Sequence, residues 1–178
     1  FTDAHYKDCE ENILAPTLVG LESYGIHFKG FIFFGLMVTN EGTYLLEYNM
    51  RLGDPETQVI LALLENELYD VITDCMEGKD IELKWKNEKA VCLVMCSGGY
   101  PYKFDTGFEI KNIDKVKNSN VLFAGAKNLG DKVVSSGGRV LSVVATGETF
   151  EDARKKVYED AHAINFDYGF YREDIGKF

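Results

Sequence analysis

The sequence predicts an α+β protein with a helix-and-hairpin first part and a strand-rich second part. Apolar residues recur at helical spacing in the first part, and short apolar runs between glycine-containing turns predict strands in the second. A charged, loop-like stretch at residues 79–87 separates the two patterns. Because 178 residues suffice for one domain or two small ones, we predict domains at residues 1–84 and 85–178.

The first domain is predicted to begin with a long helix. Residues that share one face at helical spacing are Ile13, Leu14, Thr17, Leu18 and Leu21. They predict a helix over roughly residues 3–24, with Gly25 as its stop and Pro16 as a place where it kinks or restarts. The remaining elements predicted here are a hairpin of strands at 31–38 and 43–50, and helices at 55–64 and 67–77, the last ending at Gly78.

The second domain is predicted to consist of short strands followed by one C-terminal helix. The strands are expected at residues 90–95, 121–126, 133–134 and 139–145. The helix is expected at residues 150–164. Thr149 and Asp152 begin it with the spacing of a capping box, with Asp in place of the usual Glu or Gln.

Composition excludes some classes of function. The formal net charge is -10 and the isoelectric point is about 4.8, which argues against a sequence-independent nucleic-acid binder. The sequence contains neither a signal peptide nor an apolar run of about 18 residues, so we expect no membrane partner and a cytoplasmic protein. The four cysteines lack zinc-site spacing and are expected to be free thiols. Because the chain opens on Phe1 without a methionine, we expect it to be part of a longer polypeptide.

Polar residues on the predicted strand 43–50 form the strongest candidate site. Side chains alternate across a strand, so Glu47, Asn49 and Arg51 are predicted to project to one side. Magnesium prefers oxygen ligands together with substrate phosphates, and an arginine fork suits a phosphoryl oxygen. The row could therefore hold the metal and transferring phosphate of a nucleotide. The alternative is an ordinary solvated strand face.

The next residues predict a helix start after Gly53 interrupts the strand. In Asp54-Pro55-Glu56 we expect Asp54 to be the N-cap, proline to take the first helical position, and Glu56 to be an acid in the first turn. Asp54 could also orient an incoming amine. Helix capping alone is the alternative for Asp54, and both roles could hold together.

A second cluster in the other domain could bind a phosphate monoester. Lys127 and Arg139 flank a turn at residues 135–138 that contains Gly137 and Gly138. Two cations beside a glycine turn with free backbone N–H groups would suit such an anion. The alternative is a hairpin in which the glycines only turn the chain and Arg139 lies on the surface.

Several motifs resemble one family across nearly the whole chain. The run Arg-Leu-Gly-Asp-Pro-Glu-Thr-Gln-Val-Ile at residues 51–60 resembles the signature of the glycinamide ribonucleotide synthetase (phosphoribosylamine-glycine ligase) family, which belongs to the ATP-grasp ligases. Other segments resemble the family in the same order, at residues 30–39, 96–101, 123–127 and 136–141. The resemblance implies that residues 1–84 are the C-terminal portion of an ATP-grasp domain, followed by a small strand-rich cap domain with a C-terminal helix.

The resemblance also implies a reaction and its participants. Members join glycine to 5-phosphoribosylamine through glycyl phosphate in purine synthesis, with ATP as a substrate and Mg²⁺ or Mn²⁺ as the metal. The implied partners are these small molecules and the missing N-terminal part of the same enzyme, without which we expect the fragment to be inactive. The alternatives are another purine-pathway ATP-grasp ligase and a noncatalytic binding module.

Residue roles follow from the resemblance position by position. Glu47 and Asn49 match the metal ligands, and Arg51 is assigned to the transferring phosphate. Asp54, with Glu56, is assigned to the amine substrate. Because related ATP-grasp enzymes of purine synthesis use Lys and Arg at similar places, Lys127 and Arg139 are assigned to the ribose 5-phosphate.

Overall fold

The computed structural model describes residues 1–177 and confirms the α+β class. Two short non-α turns accompany the regular elements, a π-helical turn at Glu10–Leu14 and a 3₁₀ turn at Ile113–Lys115. The α-helices are α1 (Asp3–Cys9), α2 (Ala15–Ser23), α3 (Glu56–Leu63), α4 (Leu68–Glu77) and α5 (Phe150–Ala163). The strands are β1 (Phe33–Thr39), β2 (Gly42–Asn49), β3 (Lys89–Ser97), β4 (Asn120–Phe123), β5 (Ala126–Leu129), β6 (Lys132–Ser135), β7 (Arg139–Gly147) and β8 (Gly169–Phe170).

The chain forms two compact units. The first comprises residues 1–53 and 66–82, and the second comprises residues 54–65 and the chain from residue 83 onward. Helix α3 thus packs with the second unit although it lies before the predicted boundary. The boundary between residues 84 and 85 stays a prediction about domains along the chain.

The first unit begins with the predicted long helical segment. Residues 3–23 are helical, but Pro16 lies in the first turn of α2 and follows the π-helical turn. Proline has no N–H to donate to the preceding turn, so the wider turn before it accommodates the missing hydrogen bond. The prediction of a restart at Pro16 is confirmed.

The hairpin of β1 and β2 is tied to this helical segment. The two strands are antiparallel, as predicted, and are joined at Asn40-Glu41. The Asp8 carboxylate accepts a hydrogen bond of 2.8 Å from the backbone N–H of Thr43. This hydrogen bond ties the start of β2 to α1.

The second unit is built on a four-stranded antiparallel sheet in the order β4-β7-β3-β8. From Ala90 onward, strand β3 alternates between half-buried and buried residues. Its buried side chains pack with the apolar face of α5. The core side chains from these two elements are Val91, Leu93, Met95, Ala153, Val157 and Ala161.

Helix α5 starts as predicted and α3 contacts the same two central strands. The Thr149 hydroxyl accepts a 3.1 Å hydrogen bond from the backbone N–H of Asp152, which confirms the N-cap. Helix α3 contacts β3 and β7. The charge of Glu56, the first residue of α3, acts on the half-buried Cys92, whose side chain alternates along β3 with the core residues Val91 and Leu93.

The predicted strand 121–126 is wrong in one respect, because the chain forms β4 and then turns. The backbone N–H of Gly125 donates to the carbonyl of Arg139 at 2.8 Å. A Cβ on Gly125 would lie 2.7 Å from the Cα of Gly137, so two backbones meet here without side chains. Strands β5 and β8 were not predicted, since four-residue and two-residue strands carry little periodicity.

Among the helices of residues 1–177, none combines the length and apolar character needed to cross a membrane.

Candidate active site

Glu47 and Asn49 form a side-by-side pair at the end of β2. Asn49 Nδ2 donates a 3.0 Å hydrogen bond to Glu47 Oε1, which confirms that the two side chains share one face. This hydrogen bond leaves Glu47 Oε2 and Asn49 Oδ1 available as oxygen ligands for a metal ion. Magnesium is commonly held by one or two protein oxygens and completes its shell with water and phosphates, so this pair fits such an ion. Among residues 1–177, no group of three or more His, Cys, Asp or Glu side chains is placed to hold a metal.

Gly35 on the neighbouring strand makes room for Glu47. The register pairs Gly35 with Glu47 and Leu36 with Leu45, so Leu46 is the extra residue of a β-bulge. A Cβ on Gly35 would lie 2.9 Å from Glu47 Cγ. Gly35 could not be identified from the sequence because its role depends on the cross-strand register.

Arg51 lies beyond the strand that was expected to orient it. Strand β2 ends at Asn49, so side-chain alternation does not extend to Arg51. The guanidinium Nη1 donates to the Leu52 carbonyl at 3.0 Å, and among the described residues Arg51 makes no ion pair with Glu47. The prediction that strand alternation aligns Arg51 with the other two side chains is therefore wrong, and its assignment to a phosphate stays a prediction.

Asp54 and Arg139, 85 residues apart, meet in the second unit. Arg139 Nη2 lies 3.0 Å from Asp54 Oδ2, and Nη1 donates to the main-chain carbonyl of Asp54 at 2.9 Å. Asp54 Oδ1 accepts a 2.7 Å hydrogen bond from Gln58 Nε2. The structure thus brings together two residues that the sequence had placed in separate clusters, and it adds Gln58.

Asp54 does not cap α3, which corrects the sequence prediction. The N-cap position is taken by Pro55, and no side chain caps the helix there. The carboxylate of Asp54 instead contacts Gln58 and Arg139. Proline is common at the first helical position because it has no N–H to donate, so the Asp-Pro-Glu pattern predicted Pro55 there. The helix begins one residue later, at Glu56, with Pro55 as the N-cap.

The glycine turn before Arg139 does not offer the free N–H groups that were expected. The backbone N–H groups of Ser136 and Gly137 donate to the Gly125 carbonyl at 2.7 and 3.1 Å. This contradicts the predicted backbone nest at these two residues. The turn instead fixes the start of β7, since the buried Ser97 donates its hydroxyl to the Gly137 carbonyl at 2.9 Å.

Lys127 and Glu56 occupy different surroundings. Lys127 is exposed on β5, and within residues 1–177 its ammonium group makes no hydrogen bond or ion pair. Glu56 is half-buried at the start of α3, close enough to Cys92 for its charge to act on the thiol. No contact in the described chain assigns either residue a ligand.

The cysteines near this region are not poised for nucleophilic chemistry. Burial raises the pKa of Cys92 to about 11, a hydrogen bond with Ser142 lowers it, and the negative charges of Asp54 and Glu56 add to the rise. Burial also raises the pKa of Cys96. Because the thiolate is the reactive form, both side chains act as packing residues.

Two family models match the chain. The model described as phosphoribosylglycinamide synthetase, ATP-grasp (A) domain, matches residues 1–57, which include the Glu47 and Asn49 pair. This part of the chain is therefore a segment of an ATP-grasp domain. The model described as phosphoribosylglycinamide synthetase, C domain, matches residues 90–178. The chain belongs to the phosphoribosylglycinamide synthetase family, as its motifs predicted.

Individual relatives agree with this assignment. The chain is 47% identical over 178 residues to a phosphoribosylamine-glycine ligase of Clostridium acetobutylicum, covering 99% of this chain and 42% of that protein. It is 40% identical to a bifunctional purine biosynthetic protein of Dictyostelium discoideum, covering 95% of this chain and 22% of that protein. A crystal structure of phosphoribosylamine-glycine ligase from Thermotoga maritima matches with a TM-score of 0.88 and 37% identity, over 98% of this chain and 44% of that one.

Proposed function

We propose that the complete protein ligates glycine to 5-phosphoribosylamine, with ATP becoming ADP and phosphate. The proposal is supported by family membership and by the paired oxygens of Glu47 and Asn49 within the ATP-grasp segment. The chain spans 42% of the length of its Clostridium relative, so the remaining site residues are expected in the part of the protein outside this segment. The fragment alone is expected to be inactive.

The first half of the reaction transfers the γ-phosphoryl group of ATP to the carboxylate of glycine. A glycine oxygen attacks phosphorus, the bond to the ADP oxygen breaks, and glycyl phosphate forms. Such transfers depend on positioning and on neutralising the charge that spreads over the phosphoryl oxygens. Glu47 and Asn49 would hold Mg²⁺ or Mn²⁺, which supplies that neutralisation when bound. Arg51 would bind the transferring phosphate.

The second half joins the amine to the activated carboxyl group. The amine of 5-phosphoribosylamine attacks the acyl carbon, phosphate leaves, and the nitrogen loses a proton. Asp54, with Glu56 two residues further along the chain, would orient that amine and share its proton. Arg139 donates to the Asp54 carbonyl and pairs with its carboxylate, and its remaining N–H donors would bind the 5-phosphate together with Lys127.

Localisation and partners follow from the same assignment. We place the enzyme in the cytoplasm, where its four free cysteines suit a reducing compartment. Its partners would be small molecules, and the acidic chain would not bind nucleic acid.

The decisive experiment tests Glu47 in the full-length protein. Glu47→Ala is expected to abolish formation of glycyl phosphate and of ADP, because one of two protein oxygens for the metal is lost. The far-ultraviolet circular dichroism spectrum should stay the same, since Glu47 is exposed. Full turnover in a folded Glu47→Ala protein would refute the proposal. Replacement of 5-phosphoribosylamine by other purine-pathway amines separates this ligase from its relatives.

Lys127 gives the clearest test of the phosphate site, because its ammonium group has no partner to lose among residues 1–177. Lys127→Met is expected to raise the Michaelis constant for 5-phosphoribosylamine and to leave that for ATP unchanged. Lys132→Met is a matched control on the same hairpin, since Lys132 is paired with Glu109 at 2.9 Å. Equal effects of both variants on the amine substrate would contradict a specific role for Lys127.

A further inference from the structure

Gln58 makes a contact that its place in the helix does not require. With Pro55 at the N-cap, Gln58 is the third helical residue, the position from which Glu or Gln usually accepts a hydrogen bond from the N-cap N–H. Proline has no N–H. The side chain of Gln58 therefore cannot cap α3 in the usual way.

The side-chain carbonyl of Gln58 lacks a partner as a result. Gln58 Oε1 is a buried oxygen that accepts no hydrogen bond among the described residues. A buried carbonyl without a donor destabilises a fold. The reverse orientation of the amide would bring Oε1 against the Asp54 carboxylate, so the amide keeps Nε2 towards Asp54.

Gln58 and Arg139 together make three contacts with Asp54. Gln58 donates to Oδ1 at 2.7 Å, and Arg139 reaches Oδ2 at 3.0 Å and the main-chain carbonyl at 2.9 Å. The Asp54 side chain is 42% exposed, so without these contacts it would rotate in water. Each carboxylate oxygen still has a lone pair for one further donor.

We infer that Gln58 is a positioning residue that, together with Arg139, fixes the Asp54 carboxylate for the amine substrate. This inference rests on the proposed role of Asp54. This role gives a reason for a glutamine with an unpaired side-chain carbonyl in α3, since its amide N–H restrains the Asp54 carboxylate. Gln58 acts through Asp54 and needs no contact with the substrate.

The test uses Gln58→Met in the full-length enzyme, since methionine matches glutamine in length and helix propensity but neither donates nor leaves a carbonyl unpaired. The Michaelis constant for 5-phosphoribosylamine should rise roughly ten-fold, as expected for one hydrogen bond to a charged group. The constants for ATP and glycine should stay within about two-fold. The thermal unfolding midpoint should be unchanged or higher.

A matched control and a paired variant make the result decisive. Asn12 donates to Asp8 at 2.8 Å with the same four-residue spacing, so Asn12→Leu removes an equivalent contact elsewhere and should leave the amine constant unchanged. Asp54→Asn tests the proposed function itself and should raise that constant. In the Asp54→Asn background, Gln58→Met should add little, because both changes act on one carboxylate.

The other possible results of these three variants each contradict either the role of Gln58 or the role of Asp54. If Asp54→Asn raises the amine constant and Gln58→Met does not, the positioning role of Gln58 is wrong and the proposed function stands. If Asp54→Asn has no effect, the role of Asp54 is wrong and the inference falls with it. A lower unfolding midpoint in Gln58→Met with unchanged kinetics would show that Gln58 is only structural.

Discussion

Gly35→Ala should disturb the positions of the two proposed metal ligands, Glu47 and Asn49, without changing either side chain. The added Cβ would lie 2.9 Å from Glu47 Cγ, whereas carbon atoms normally approach to about 3.5–4.0 Å. The two atoms must therefore move apart by roughly 0.6–1.1 Å. Glu47 Cγ lies close to the backbone, so a shift of this size requires rotation of the side chain or displacement of β1.

The expected result is a weaker hold on the metal in an otherwise folded protein. Rotation of Glu47 would break the 3.0 Å hydrogen bond from Asn49 and separate the two oxygen donors. Overpacking of this kind destabilises a protein by about 1–3 kcal/mol. If half of that acts on the metal complex, the Mg²⁺ concentration for half-maximal ADP formation rises by roughly two- to twelve-fold. Binding of Mn²⁺ with a nonhydrolysable ATP analogue, followed by electron paramagnetic resonance, gives a readout that is independent of turnover.

Gly20→Ala is the control because a Cβ on Gly20 meets no atom within 4 Å. Gly20 lies in α2, so alanine should raise stability by about 0.5–1 kcal/mol and leave the metal requirement unchanged. An unaltered metal requirement and unaltered Mn²⁺ binding in folded Gly35→Ala would refute the reasoning.

Three further predictions concern the second unit. Burial alone would raise the pKa of Asp160, but hydrogen bonds, including those from the N–H groups of Lys117 and Asn118, outweigh burial and lower that pKa. Ionised Asp160 therefore stabilises the fold at pH values above its unfolded pKa of about 3.9. This contribution is lost as the pH falls through the lower pKa of the folded state. Asp160→Asn should lower the urea unfolding free energy by about 1–3 kcal/mol at pH 7 and flatten its decline in acid; a decline of equal steepness in the variant would count against this. Leu93→Ala, at a fully buried position, should lower the same free energy by about 2–5 kcal/mol, and a loss below about 1 kcal/mol would mean that the core collapses around the change. With its pKa raised to about 11, Cys92 should carry only about one thiolate in a thousand at pH 8 and resist iodoacetamide in mass spectrometry, whereas rapid labelling of the native protein would contradict the burial.

The helices and the hairpin were predictable from local pattern. Apolar spacing identified the helical segment at residues 3–23, and Gly78 ends α4 in the left-handed conformation with φ of 74°. The short strands β5 and β8 were not predictable. Strand β5 has four residues and too little periodicity, and the two-residue β8 depends on pairing with the distant β3.

The candidate site was predicted only where its residues are neighbours in sequence. Glu47 and Asn49 lie two apart on a strand, so alternation was enough to pair them. The contact between Asp54 and Arg139 spans 85 residues, and no local rule indicates it. Gly35 and Gln58 were missed for a related reason, since one depends on strand register and the other on which residue starts the helix.

The backbone contact between Gly125 and Gly137 has a consequence for the tolerance of this region to mutation. The segment that leads to Arg139 is located by main-chain atoms, which all amino acids share. A saturation library across residues 123–138 should therefore show intolerant columns at Gly125 and Gly137 as well as at the buried Val134 and Ser135, whereas the exposed Asn128 and Asp131 accept most replacements. Arg139 should therefore keep its orientation when neighbouring residues are substituted, as long as Gly125 and Gly137 are retained.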